Sequence, residues 1–311
     1  MSKVGYVQAF SPAGITSFFE PYELTQDGKG LPPILRMAAR GGGFTIRAGT
    51  VTRVTAHHAK KSSVEIIEGG RCRDDFTTTE TVAELLLRQT DRKFTVKIEH
   101  EITVPVGAGY GASAAGALSA ALAMNELLRL DMTFDELGLL AHRAEVECRT
   151  GLGTVGPLMI GGCIVQREGG PPGLCRIDRI PVRPQYRIVT GCYGPIPTRN
   201  VLGSRTVYSR IGKEGRRAMR AILGRPSLEN LLQASEEFAS RIGFMTERVK
   251  RSIAVAKREG AVGAAQNMLG EAFHAVVEES EVEEVVKALR KSIGDMRIFS
   301  SRIDFEGARL L

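Results

Sequence analysis

Hydrophobic positions along this chain recur with two periods, and the places where the period changes predict most of its elements. Runs of alternating or β-branched residues at 4–10, 44–46, 51–56, 64–67 and 94–104 predict strands, and a helical pattern at 79–89 interrupts them. The run at 94–104 alternates without a break. Phe94, Val96, Ile98, His100, Ile102 and Val104 fall on one side, and Thr95, Lys97, Glu99, Glu101 and Thr103 on the other. Such a strand has one buried and one wet face. Helices are predicted at 112–128, 134–149 and 153–160, then strands at 163–166 and 186–192. From there the pattern is helical, at 206–223, 228–242, 246–258 and 282–293. The order is α+β first and mostly α second. Gly194-Pro195-Ile196-Pro197 punctuates the change, so two domains are expected, 1–195 and 196–311.

The segment Pro105-Val106-Gly107-Ala108-Gly109-Tyr110-Gly111-Ala112-Ser113 joins the alternating strand to the helix at 112–128. Glycines let backbone N–H groups converge on a ligand without Cβ obstruction, and a helix N-terminus adds partial positive charge, so the turn is a candidate anion cradle. It is not a Walker A loop, because no Gly-Lys-Ser/Thr follows. It also departs from a dinucleotide fingerprint. The first strand of that motif is buried on both faces, and an acidic residue ends a strand about 20 residues after the glycines; here Glu126 falls inside the helix. A turn whose glycines serve packing alone is the structural alternative. Ser113, in the first helical turn, either caps the helix or reaches a phosphate oxygen or a magnesium ion.

The helix at 134–149 opens with a capping box, Thr133 and Glu136, and sets Leu137, Leu140 or Ala141, Ala144 and Cys148 on an apolar face. His142, Glu145 and Arg149 recur at helical spacing on an adjoining face. From the residues alone, Glu145 and Arg149 read first as an i,i+4 surface pair.

A length of 311 residues, with 43% hydrophobic and 25% charged, suits one large core or two modest ones. The net charge of +7 favours an anionic partner. Nucleic acid bound by stacking is disfavoured by 6% aromatics and no Trp. The basic stretch of Arg205, Arg210, Lys213, Arg216, Arg217, Arg220 and Arg225 reads as a solvated helix face, with RNA contact as the alternative. Five cysteines without a Cys-x-x-Cys pair suggest neither a disulfide framework nor structural zinc. There is no long apolar run and no signal-like start, so a cytoplasmic protein without a membrane partner is expected.

The strand, Pro-x-x-x-Gly-x-Gly-x-Ser-Ala and small-residue helix together resemble the phosphate loop of the GHMP kinases (galactose, homoserine, mevalonate and phosphomevalonate kinases). Phe10-Ser11-Pro12-Ala13-Gly14-Ile15-Thr16 is similar to the first motif of that superfamily, and residues 263–270 are similar to a degenerate third. Within the superfamily, the pattern is most similar to the archaeal pantoate kinases. Residues 39–44, Ala144-Glu145-Val146-Glu147, Thr150-Gly151-Leu152-Gly153, Gly161-Gly162 and residues 303–309 carry that likeness.

The resemblance implies an α+β GHMP kinase fold, with an N-terminal domain like the second domain of ribosomal protein S5 and a C-terminal helix-rich ferredoxin-like domain. It implies transfer of the ATP γ-phosphoryl group to the primary hydroxyl of pantoate on the route to coenzyme A. ATP and Mg2+ are the expected cofactors, with a homodimer and no nucleic-acid partner. Pro105, Gly107, Gly109, Gly111, Ala112 and Ser113 would hold the triphosphate, and Ser113 and Glu145 the magnesium. Thr154 stands where many of these kinases carry an aspartate, and it cannot act as a base near neutral pH. For the acceptor carboxylate the candidates are Arg167, ranked first, Arg40 and Arg149, with His142 as a further substrate contact. The remaining alternatives are a GHMP-type kinase of another small alcohol such as homoserine or mevalonate, a non-catalytic paralogue, and an RNA-binding S5-like module.

Overall fold

The computed structural model of the chain describes residues 3–24, 32–195, 205–294 and 296–311. Its spine is one long antiparallel hairpin, β1 (Lys3–Glu23) on β2 (Met37–His58), paired from Lys3 with His57 to Glu23 with Met37. A short helix, α1 (Pro33–Arg36), precedes β2. The patterns at 4–10, 44–46 and 51–56 predict only part of these strands. Residues 11–23 and 37–43 are rich in Gly, Ala, Ser and Pro, which lack strand propensity. They are extended because they pair with each other: the backbone of Phe18 and Phe19 lies so close that a Cβ on Gly41 would stand 2.4 Å from Phe18 O.

β3 (Ser63–Glu68) and β4 (Arg71–Cys72) form a small hairpin, α2 (Thr77–Leu87) crosses over, and β5 (Phe94–Ile102) pairs antiparallel with β2 and parallel with β3. Burial along β5 follows the predicted alternation, with Phe94, Val96, Ile98 and His100 inward. α3 (Ala112–Leu128) lies on the inner face of this sheet. Its Ala114, Ala115, Ala117, Ala120, Ala121 and Ala123 are fully buried. Small side chains let the axis approach the sheet closely and hold its N-terminus still. α4 (Phe134–Cys148) has the predicted capping box at Thr133 and Glu136. α5 (Val155–Ile160), β6 (Cys163–Glu168) and β7 (Arg176–Arg179) follow, with β6 pairing the glycine segment of β2.

β8 (Tyr186–Pro195) begins a second, antiparallel sheet. The helices α6 (Arg205–Gly224), α7 (Leu228–Ile242) and α8 (Glu247–Arg258) precede β9 (Gly263–Gln266) and β10 (Gly270–Glu278). α9 (Val282–Ile293) and β11 (Arg297–Arg302) complete it, in strand order β11-β8-β10-β9. The last strand, β12 (Arg309–Leu310), returns to the first sheet beside β1.

The α+β arrangement is present, and two details differ from expectation. β9 to β12 carry no alternating signal; they form because open strand edges are offered to them. β8, assigned by composition to residues 1–195, hydrogen-bonds within the second sheet. Of the residues that suggested the boundary, Gly194 and Pro195 end β8, and 196–204 lie outside the described residues. Phe18 and Phe44 of the hairpin share one apolar cluster with Ile188 of β8 and Phe238 of α7. Among the described residues, no helix is long and apolar enough to cross a membrane.

Candidate active site

The glycine turn needs its glycines. Gly107, Gly109 and Gly111 all have positive φ, +75°, +82° and +63°, a region that side chains with a Cβ rarely enter. Gly111 is the N-cap of α3 and leaves its first-turn N–H groups without a side-chain cap. Those amides, with the helix dipole behind them, make a ready anion site. The turn is braced from several sides. Gly14 N donates to Tyr110 O at 3.0 Å, and Tyr110 Oη is 2.7 Å from Thr190 Oγ1 on β8.

The turn opens onto a cavity of about 700 Å3, a size suited to a ligand such as a nucleotide with its acceptor. Gly107, Gly109, Gly111, Ala112 and Ser113 line it, and Pro105 does not. Gly14, Ile15 and Thr16 of the first motif and Met268 and Leu269 of the third also line it. The three motifs, far apart in sequence, therefore meet at one place.

Glu145 is the one carboxylate among the described residues lining the cavity. It is almost fully buried, and its Oε2 has no hydrogen-bond partner. Burial pushes its pKa from 4.5 up to about 8, against the opposing pull of the Thr154 and Val155 backbone N–H groups. Gly151 is what lets the following loop fold over it, since a Cβ there would stand 2.2 Å from Glu145 Oε1. An orphaned carboxylate oxygen with the Ser113 hydroxyl on the same cavity suits a hard divalent cation. Among the described residues no cluster of three or more His, Cys, Asp or Glu could hold a metal. A cation here would thus complete its shell from phosphate oxygens and water, as magnesium does.

The surface pair weighed between Glu145 and Arg149 does not form. α4 ends at Cys148, and Arg149 turns off in a left-handed conformation at φ +56°; the i,i+4 ion pair on this helix is Arg143–Glu147 instead. Arg149 lines the cavity rim and has no ion pair among the described residues. Thr154 also lines the cavity, with its Cγ2 packed against Gly14 and Gly111.

Three expected substrate contacts are placed differently. Arg167 is not among the cavity-lining residues; it lies 3.6 Å from Asp178 on β7. Its neighbour Gln166 lines the cavity instead, because successive residues of a strand face opposite ways. Gln166 is buried and its Nε2 has no partner. Sequence reasoning missed it by one register position, and the period-two rule applied to 163–168 was the available signal. Arg40 lines the cavity, but its Nε donates to the buried Glu20 at 2.6 Å, and Arg216 of α6 reaches the same carboxylate at 3.1 Å. His142 is fully buried and does not line the cavity, and burial pushes its pKa down to about 4. Arg210, Lys213, Arg216, Arg217 and Arg220 of the basic stretch lie on the solvent face of α6, whose Ile211, Met219 and Ile222 enter the core.

The family described as "GHMP kinases N terminal domain" matches residues 77–162. A pantoate kinase of Methanocaldococcus jannaschii is 31% identical over 189 residues, which is 61% of this chain and 67% of that relative. The chain belongs to the GHMP kinases. It is a phosphotransferase that acts on an alcohol. A pantoate kinase of Thermococcus kodakarensis is 28% identical over 286 residues, covering 91% of each chain. Among solved structures, a protein described as "Phosphotransferase related to CoA biosynthesis pathway" superposes with a TM-score of 0.87 at 25% identity, covering 99% of both chains. A homoserine kinase of Cytophaga hutchinsonii shares the fold at a TM-score of 0.70 and 17% identity, over 98% of this chain and 97% of the other.

Proposed function

We propose that this GHMP kinase transfers the γ-phosphoryl group of ATP to the primary hydroxyl of pantoate, giving 4-phosphopantoate in coenzyme A biosynthesis. The observation that carries the reading is the meeting of the glycine turn and Glu145 on one cavity, in a chain whose relatives include pantoate kinases over most of its length.

Phosphoryl transfer asks the protein chiefly for position and charge. The backbone N–H groups at 107–113 hold the triphosphate. Glu145 and Ser113 would hold magnesium, which when bound neutralises phosphate charge. The hydroxyl oxygen of the acceptor forms a bond to the γ-phosphorus as the bridge to the β-phosphate breaks. With threonine at 154 and no second carboxylate among the described residues lining the cavity, the hydroxyl proton leaves on a phosphoryl oxygen or to water.

For the acceptor carboxylate, Arg149 takes the place first given to Arg167. It is the candidate arginine that lines the cavity without an ion pair among the described residues, whereas Arg40 is already held by Glu20. Gln166 adds a buried donor with no other partner.

The test is ADP release with magnesium and ATP in the presence of pantoate, pantothenate, homoserine or mevalonate. Pantoate alone should be turned over. Turnover of homoserine or mevalonate with none of pantoate would reassign the acceptor and leave the phosphate site intact.

A further inference from the structure

Behind the cavity wall lies a polar group that neither the phosphate loop nor Glu145 accounts for. Ser17 of β1, His274 of β10 and Asn267, in the turn between β9 and β10, are each fully buried. Ser17 Oγ lies 2.8 Å from His274 Nε2, and His274 Nδ1 lies 2.8 Å from Asn267 Oδ1. An amide oxygen only accepts, so Nδ1 carries the proton, Nε2 accepts, and the Ser17 hydroxyl donates. Such a row resembles hydrolytic machinery, but Ser17 has no surface that a substrate could reach.

What the row touches is the phosphate loop. Met268 N donates to Thr16 O at 2.8 Å, tying the turn to β1 beside Ser17. The turn lies backbone to backbone against the loop. A Cβ on Gly270 would stand 2.2 Å from Ala108 O, and one on Gly109 would stand 3.2 Å from Asn267 Cβ and 3.3 Å from Met268 O. Met268 and Leu269 then continue into the cavity lining.

We infer that His274 is a positioning residue for the nucleotide: through its Nδ1 link to Asn267, with the ring steadied by Ser17, it holds the turn at 267–270 as the surface against which Ala108 and Gly109 keep their triphosphate-binding shape. The inference rests on the kinase reading of the cavity and adds to it a residue that touches neither substrate. The two ring nitrogens have separable duties. The Asn267 link bears on the loop directly, and the Ser17 link anchors the ring.

Amide side chains can take over one duty each. His274→Asn presents a donor near the Nδ1 position and keeps the Asn267 link; His274→Gln reaches the Nε2 position and keeps only the Ser17 link. The measurements are the Kd of a magnesium complex of a non-hydrolysable ATP analogue by calorimetry, KM for ATP and for pantoate, and Tm. His274→Gln should weaken the analogue and raise KM for ATP by about tenfold with KM for pantoate within about twofold, while His274→Asn stays within about threefold of the unaltered protein. Asn267→Ala severs the same link from the other side and replaces His274→Gln if that variant does not fold. Variants that bind the analogue like the unaltered protein, or that lose both substrates equally, overturn the inference while the kinase reading stands. An unaltered protein that binds no nucleotide sinks both.

Discussion

Replacing Glu145 by Gln should change how stability depends on pH as well as lower turnover, and the size of the change follows from the burial of one carboxyl group. In the folded chain this group holds its proton until about pH 8; unfolded, it loses it near 4.5. Between those values the folded state binds more protons than the unfolded one, so stability falls as pH rises. The contribution is present in full below 4.5 and gone once pH has risen through about 8. At roughly 1.4 kcal/mol per pH unit, the gap corresponds to about 5 kcal/mol. Glutamine fills the same space and does not titrate. Urea unfolding of both proteins from pH 4.5 to 9 without divalent cations gives the difference curve, in which every other group cancels. The Glu145→Gln variant should gain on the unaltered protein by about 5 kcal/mol up to pH 8 and hold level above it. Magnesium at pH 8.5 should stabilise the unaltered protein and not the variant, and kcat of the variant should fall more than about tenfold. Parallel stability curves across the range would refute this reasoning, because they would mean that the carboxylate is solvated.

The remaining predictions concern the loop, the arginines and the buried histidines. Gly111→Ala forces a Cβ into φ +63° and to 2.8 Å from Thr154 Cγ2, so unfolding free energy should drop by about 1–3 kcal/mol and KM for ATP should rise at least about tenfold; unaltered kinetics would remove the loop from the nucleotide site. Ser113→Ala should lower kcat/KM by more than about tenfold if its hydroxyl meets phosphate or magnesium, and a rate equal to that of the unaltered chain would leave it a packing residue. Arg149→Ala should raise KM for pantoate by about 10- to 100-fold with KM for ATP little changed, whereas Arg167→Ala stays within about twofold; the reverse order would restore Arg167. Burial lowers the pKa of His100 and His142 to about 4 and of His274 to about 3, from 6.5. All three stay neutral when folded, so stability is lost as pH falls below 6.5, and His142→Leu should make the acid limb shallower by about 1.4 kcal/mol per pH unit. An unchanged limb in that variant would show that His142 takes up a proton without unfolding.

Local patterns carried a good deal of this architecture. The alternation from Phe94 to Ile102 foretold which face of β5 is wet. Thr133 and Glu136 foretold the start of α4, and three glycines before an alanine-rich helix marked the tight turn that opens onto the cavity. Each of these depends on residues a few positions apart, so the chain states them wherever it goes. The end of α4 was less legible. Helical spacing continues through Arg149, but the chain leaves the helix there to bring Gly151 over Glu145.

By itself, then, the sequence determined the faces, the caps, the glycine turn and the kinship with GHMP kinases. Tertiary structure alone decided that the glycine-rich stretch 37–43 is a strand, that Gln166 rather than Arg167 lines the cavity, that Arg40 is held by Glu20, and that His274 lies buried between Ser17 and Asn267. Strand pairing and the burial of polar groups depend on partners tens or hundreds of residues away. Which edge is open and which charge is already paired are properties of the packed chain, with no local pattern to announce them.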